Sequence, residues 1–197
     1  MDGIKLSKTR IIINILLCFL PIVLFGETDI ARSEILSSFS SYFTWFANIE
    51  RAGKIAEMFE ISSYVKFQMS WALTILIINI CIDIYGHTII YLSSLGYTRA
   101  IKENFNEHIS THGTNLSTIG YSISLIIFTL VIFDYNFIGI LFQINLNSSS
   151  LFLASFSSKF GTVVYSIAVI HGLSALTAYS ICESLARIRL FLIKKKL

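Results

Sequence analysis

The residues of this sequence that could do chemistry are a few polar side chains set in long apolar stretches. Asp83 and Asp134 each lie in such a stretch, and His171 lies near the middle of the last one. A charged group inside an apolar helix is costly to bury, so each is a candidate for function. Asn79, Asp83 and His87 are four residues apart, and this spacing predicts that they share one helix face.

Three kinds of chemistry are compatible with these groups. His171 shares a predicted face with small residues, so its helix could approach closely enough for His171 to bond Asp83. The polar groups would then be buried hydrogen-bonded pairs that fix the helix register. Alternatively, Asn79, Asp83 and His87 could form a proton or ion path. A third hypothesis is haem ligation by His87 and His171.

No sequence motif indicates an enzyme, a metal site or another cofactor. The chain lacks a nucleophile–base constellation, a glycine-rich phosphate loop and an H-E-x-x-H pattern. His108 and His112 are four apart, which suits one metal-binding face, but no cysteine or third histidine stands beside them. The three cysteines have unrelated spacings and match neither a disulfide framework nor a zinc pattern. We therefore expect a non-catalytic protein without metal or cofactor.

The elements that would position these groups are membrane-spanning helices. Hydrophobic residues make up 54% of the 197 residues and charged residues 14%, and the mean hydropathy is +0.71. Soluble domains carry roughly 25% charged residues. The apolar stretches predict four spans, at about 11–26, 67–91, 117–143 and 160–182. We expect an all-α four-helix membrane bundle whose first span is retained, with Arg10 snorkelling at its end.

The cations predict the orientation of the spans. With both termini in the cytoplasm, ten of the fifteen lysines and arginines lie inside and five outside. This asymmetry is typical of a multi-pass protein of the bacterial inner membrane. The orientation makes segment 27–66 periplasmic, and the connector 96–116 and the tail 183–197 cytoplasmic.

The predicted periplasmic segment contains an amphipathic pattern. Apolar residues recur with a helical period, opposite a serine-rich face. The pattern predicts a helix lying either on the membrane interface or against its own bundle. A second, weaker amphipathic turn is predicted around Ile55. The face of the main helix consists chiefly of Leu36, Phe39, Phe43 and Phe46.

The third span has polar residues on two sides. Thr129 and Asn136 belong to a seven-residue polar repeat, whereas Asp134 and Gly120 lie on another face. A membrane helix with two polar sides needs protein on both. A bundle of short helices covers one side, so we expect a second copy to cover the other in a homo-oligomer, possibly a tetramer.

The basic residues on the cytoplasmic side predict a docking surface. They would contact anionic lipid headgroups or a cytosolic protein partner, and nothing suggests direct binding of nucleic acid. The last span also carries small residues four apart, Ala168 with Gly172 and Ser174 with Ala178, a spacing that favours close helix packing. The docking residues are Arg99, Lys102, Arg187, Arg189, Lys194, Lys195 and Lys196.

The overall layout resembles small inner-membrane proteins of bacterial defence and immunity. The resemblance rests on the size, the four spans with both termini inside, the amphipathic segment 27–66 and the lysine-rich C-terminus, KKKL. In this layout the chain is similar to the membrane subunit of the Kiwa anti-phage system. It also resembles immunity proteins against pore-forming colicins of the colicin A type. No residue motif is shared, so no functional residue is carried over.

The resemblances imply different functions. The first implies a homo-oligomer that registers envelope disturbance and holds a cytosolic DNA-binding effector. The second implies a monomer or small oligomer that meets toxin helices within the bilayer. A small ion channel or proton-coupled transporter is a further alternative, resting on Asn79, Asp83 and His87. We expect a non-catalytic sensor or anchor in anti-phage defence.

Overall fold

The computed structural model describes residues 8–25, 34–92, 115–141 and 150–194. These ranges form seven α-helices and one π-helical segment, and they contain no strand, so the prediction of an all-helical protein is confirmed. The elements in chain order are α1 (Lys8–Phe25), α2 (Glu34–Ser41), α3 (Ala47–Glu57), α4 (Ser62–Leu92), α5 (Asn115–Phe133), the π segment (Asp134–Ile138), α6 (Ser150–Phe156) and α7 (Lys159–Lys194).

Two of these helices are long and apolar enough to cross a membrane. They are the 24 residues Ser62–Tyr85 of α4 and the 20 residues Lys159–Ala178 of α7. A shorter apolar stretch, Ile123–Ile138, covers most of α5 and the π segment. Large apolar side chains also cover the outward faces of the long helices in the described residues, among them Leu16, Val23, Ile78, Ile82, Phe128 and Leu130.

The long helices alternate in direction. Arg10 near the start of α1 bonds Asp83 near the end of α4, so these helices are antiparallel. The ammonium of Lys159 lies 5.5 Å from the ring centre of Tyr64, so α7 and α4 begin at the same end. Thr129 of α5 and Ser180 of α7 bond at 2.8 Å. Together with a second contact nearer the start of α7, this pair shows that α5 runs opposite to α7.

The last helix, α7, is the centre of the packing. It contacts α1, α4, α5 and α6, and its most extensive contact is with α4. The short elements α2, α3, α6 and the π segment lie where α4 and α7 begin, and we call them the end cap. The apolar core joins this cap to the long helices, and its fully buried members include Ile49, Leu73, Leu76, Phe137, Phe156, Val163, Ile170 and Leu173.

The amphipathic segment differs from the predicted single helix. Helix α2 ends at Ser41, and α3 begins at Ala47 after a turn. The hydroxyls of Ser40, Ser41 and Thr44 each bond the backbone carbonyl three residues earlier. Such local bonds compete with a continuing helix, which accounts for the break. The serine and threonine hydroxyls therefore end α2 at Ser41, although the spacing of the apolar residues alone predicts a longer helix.

The apolar face of this segment lies against the protein's own helices. The ring of Phe39 lies 5.5 Å from that of Phe67 and 6.2 Å from that of Trp71, between ring centres. Phe43 is partly buried and Phe46 is buried. The structure describes the backbone of Leu36 in α2 but not its side chain. Of the two predicted placements, packing against the bundle is the observed one.

Candidate functional site

The principal polar site lies between α1 and α4. The guanidinium of Arg10 binds both carboxylate oxygens of Asp83, Nη1 to Oδ1 and Nη2 to Oδ2, the latter at 3.0 Å. The same guanidinium donates from Nε to Asn79 Oδ1 at 2.7 Å and from Nη2 to the Asn79 carbonyl at 2.9 Å. The planar fork of arginine suits this two-point contact. The Arg10 side chain is 19% exposed and that of Asp83 9%, so the ion pair is largely buried.

Asn79 extends the site by one helical turn. Its amide donates to Asn14 Oδ1 at 3.2 Å. Arg10 and Asn14 are four residues apart on α1, and Asn79 and Asp83 are four apart on α4, so each helix presents one polar strip. The two strips meet, and each charge is neutralised where water is scarce. We call Arg10, Asn14, Asn79 and Asp83 the α1–α4 polar site.

Further along the same contact, α4 supplies donors to backbone carbonyls of α1. Trp71 donates from its indole to the carbonyl of Leu17 at 2.9 Å, and Gln68 donates to the carbonyl of Cys18 at 3.1 Å. The residue four after Leu17 is Pro21, which has no N–H to bond that carbonyl. Trp71 therefore replaces the backbone bond that Pro21 removes, and α1 continues through its proline.

The structure gives Asp83 a different partner from the expected His171. Among the described side chains, Asp83 is bound by Arg10, and the Nε2 atom of His171 is buried without a hydrogen-bond partner. The sequence predicts that Arg10 snorkels at the end of the first span, whereas its guanidinium contacts Asn79 and Asp83 of α4. Arg10 and Asn14 have the same four-residue spacing as Asn79 and Asp83, which indicates a polar face on α1 but does not specify the helix that it contacts.

Asp134 closes a turn at the end of α5. Its carboxylate accepts hydrogen bonds from the backbone N–H groups of Ile140 and Leu141, both at 3.0 Å. Its own carbonyl accepts the N–H of Gly139 at 2.8 Å. Gly139 has φ 73°, a left-handed conformation that favours glycine. Asp134 is thus bound to the backbone at a helix end, and these bonds account for its burial.

A second polar network joins the end cap to α7. Asn48 of α3 donates to the carbonyl of Tyr135 at 2.7 Å. Asn136, one residue further on, accepts the hydroxyl of Tyr165 of α7 at 2.7 Å and donates to the carbonyl of Ile132 at 2.7 Å. These bonds connect α3, the π segment and α7 through buried groups. Sequence reasoning identified Asn136 but missed Asn48 and Tyr165, whose spacing is unremarkable.

An apolar groove of about 780 Å³ runs along α7. Ala168 and Gly172 are exposed in it, whereas Ser174 and Ala178 are buried against the other helices. The two predicted small-residue pairs thus serve different surfaces, and only one packs within the chain. We call this surface the α7 groove, and its walls include Ile132, Phe160, Gly161, Val164, Tyr165 and Leu176.

The remaining predicted site residues are only partly described. Within 8–25, 34–92, 115–141 and 150–194, no group of three or more metal-ligating side chains is present. The backbone places Arg187, Arg189 and Lys194 on α7 and His87 on α4, without description of their side chains. Four predicted docking residues lie outside the described ranges, namely Arg99, Lys102, Lys195 and Lys196.

No family model, curated protein or solved structure matches this chain.

Proposed function

We propose that this chain is a four-span protein of the bacterial inner membrane, with both termini in the cytoplasm, that acts by contact and not by catalysis. Its role is that of a sensor or anchor subunit in anti-phage defence, recruiting a cytosolic partner. The alternating directions of α1, α4, α5 and α7 support four crossings. The layout resemblance to the Kiwa membrane subunit supports the assignment to defence.

The length of α7 is the single observation that carries this proposal. The helix is unbroken over 36 residues, and at 1.5 Å per residue it extends about 54 Å. A bilayer's hydrocarbon core is about 30 Å thick. One rigid element therefore reaches from the end cap, at Tyr165, to the basic positions Arg187, Arg189 and Lys194. A displacement of the end cap can therefore reach the basic tail through one continuous helix, with no break between them.

The contacts of the end cap suggest how a disturbance reaches α7. Helix α3 bonds the π segment through Asn48, and the π segment bonds α7 through Asn136 and Tyr165. Each group is buried or partly buried, so moving one leaves its partner unsatisfied. A change at the outer surface thus has a bonded route to the helix that carries the basic tail.

The direct test uses phage infection of cells that express the chain together with its neighbouring genes. Glutamine at Arg187, Arg189 and Lys194–Lys196 removes the basic tail, and Lys54→Gln removes an exposed cation of the end cap as a control. We expect the tail variant to lose protection, measured as plating efficiency, at unchanged abundance in the membrane. The control should protect like wild type.

Three results would contradict this function. Full protection by the tail variant would exclude recruitment through the tail. Protection against a pore-forming bacteriocin by the chain alone would select the immunity function. An ion conductance of the purified protein that disappears in Asp83→Asn would select the channel function.

The proposal includes a homo-oligomer, and the α7 groove supports it. Helix α5 packs on α7 but has no comparable contact with α1 or α4, which leaves the groove open beside it. A Cβ at Gly172 would meet no atom within 4 Å. Exposed small residues four apart allow close approach of a second membrane helix.

Gly172 provides a graded test of the oligomer. Gly172→Leu places a bulky side chain in the groove, and Gly172→Ala is the control because its methyl group meets no atom within 4 Å and keeps the position small. Both changes favour the helix over glycine by a similar amount. We expect Gly172→Leu to reduce the particle mass in detergent or nanodiscs, and Gly172→Ala to leave it unchanged. A wild-type particle with the mass of one chain would contradict the oligomer.

A further inference from the structure

Among the described residues, three buried side-chain atoms on α1 and α7 have no hydrogen-bond partner. They are Nδ2 of Asn14, Nε2 of His171 and Oγ of Ser174. Asn14 is 3% exposed and Ser174 is 0% exposed, so bulk water does not reach them. Burying a polar group without a partner is unfavourable, and buried polar groups in proteins are almost always bonded.

The register of the helices places these atoms around one part of the interface. Helices α4 and α7 begin side by side, with Lys159 over the ring of Tyr64. Asn79 and Ser174 each lie 15 residues further along their helix, so they are at the same level, and Asn79 is bonded to Asn14 of α1. Ser174 follows His171 by three residues, so the two lie on neighbouring positions of one α7 face. Helix α7 packs on both α1 and α4. The unpartnered atoms therefore border the junction of the three helices.

The chemistry of these atoms selects the ligand. Asn14 Nδ2 is a donor, Ser174 Oγ can donate or accept, and His171 Nε2 does either according to its tautomer. A cation would need an unpaired acceptor charge, but the Asp83 carboxylate is already neutralised by Arg10. Water both donates and accepts, and buried water typically bridges groups of this kind.

We propose that the junction of α1, α4 and α7 is an internal hydration site, in which buried water bonds Asn14, His171 and Ser174. The site goes beyond the contact function above and does not depend on it. Water held there joins α7 to the α1–α4 polar site through hydrogen bonds. The three helices then share one polar core instead of a single ion pair.

The direct measurement is an experimental structure of the full chain in lipid, at a resolution that shows ordered water. We expect water within about 3 Å of Asn14 Nδ2 and of Ser174 Oγ. The proposal is overturned if the junction holds no water, or if both side chains bond protein groups instead.

Stability of two matched serine variants gives an independent readout. Ser174 and Ser166 are both buried on α7, but Ser166 Oγ donates to the Thr162 carbonyl of its own helix at 2.8 Å. If water bonds Ser174, then Ser174→Ala strands that water and lowers Tm by about 2–4 °C more than Ser166→Ala does. If the hydroxyl has no partner, its removal leaves Tm equal to or above that of the control, which refutes the site.

Discussion

At the scale of single residues, the protein is defined by the way it neutralises charge in an apolar setting. Arg10 satisfies both oxygens of Asp83 and both the side chain and carbonyl of Asn79. An ion pair of this kind contributes specificity more than stability, because desolvation offsets its attraction. Removing only one partner is strongly destabilising, because the other charge then stays buried without compensation.

The Arg10–Asp83 pair yields a prediction with an internal control. Asp83→Leu should destabilise the chain by about 3–5 kcal/mol, because it leaves Arg10 unpaired. Adding Arg10→Met should recover most of that loss. The control is the pair Lys66–Glu50, whose side chains are 30% and 31% exposed, so Glu50→Gln should cost less than about 1 kcal/mol.

Unfolding in a defined detergent or lipid measures all of these variants. Equal losses for Asp83→Leu and Glu50→Gln would contradict a structural role for the buried pair. So would a double variant less stable than Asp83→Leu alone.

At the scale of the elements, α1 depends on α4 for its continuity. Pro21 leaves the Leu17 carbonyl without its helical donor, and Trp71 supplies a replacement. In an apolar environment that carbonyl has no water to bond. A residue that would usually be described as an interfacial aromatic therefore completes the hydrogen bonding of a neighbouring helix.

A double-mutant cycle tests this dependence. Trp71→Phe keeps an aromatic ring but removes the indole donor, and should cost about 1–3 kcal/mol. Pro21→Ala restores an N–H that can bond Leu17 within α1. We expect Trp71→Phe to cost clearly less in the Pro21→Ala background. An identical cost in both backgrounds would show that the indole hydrogen bond contributes nothing.

The apolar pattern of the sequence predicts which segments form long helices, but it does not predict the residues at which the helices end. Apolar stretches identify α1, α4, α5 and α7 because burial or lipid exposure requires runs of apolar residues. The end of α2 at Ser41 depends on local hydroxyl bonds, and the π segment depends on Asp134 closing a turn around Gly139. These features follow from individual bonds and not from periodicity.

The candidate site was predictable on one helix only. The spacing of Asn79 and Asp83 is visible in the sequence, but their partner Arg10 is 73 residues from Asp83. Pairing between distant helices depends on the tertiary packing, which no local pattern specifies. His171 was assigned to Asp83 for the same reason, because small residues on α7 predicted close approach without specifying its register.

At the scale of the whole molecule, α7 organises the structure. It packs on four other helices and extends from the end cap to the basic tail. Helices α1 and α4 cover one side of it, and the α7 groove is the open surface at which a second copy is proposed to bind. In the proposed function, the protein acts through what these surfaces contact.

Labelling of single cysteines tests the proposed four crossings of the membrane by α1, α4, α5 and α7. The native cysteines are replaced by serine, and one cysteine is introduced at Lys54, Lys102, Ser158 or Lys195. A membrane-impermeant maleimide is then applied to spheroplasts before and after lysis. We predict labelling of the Lys54 and Ser158 positions in intact spheroplasts, and of the Lys102 and Lys195 positions only after lysis. Labelling of either of the latter two in intact spheroplasts would contradict four crossings with both termini inside.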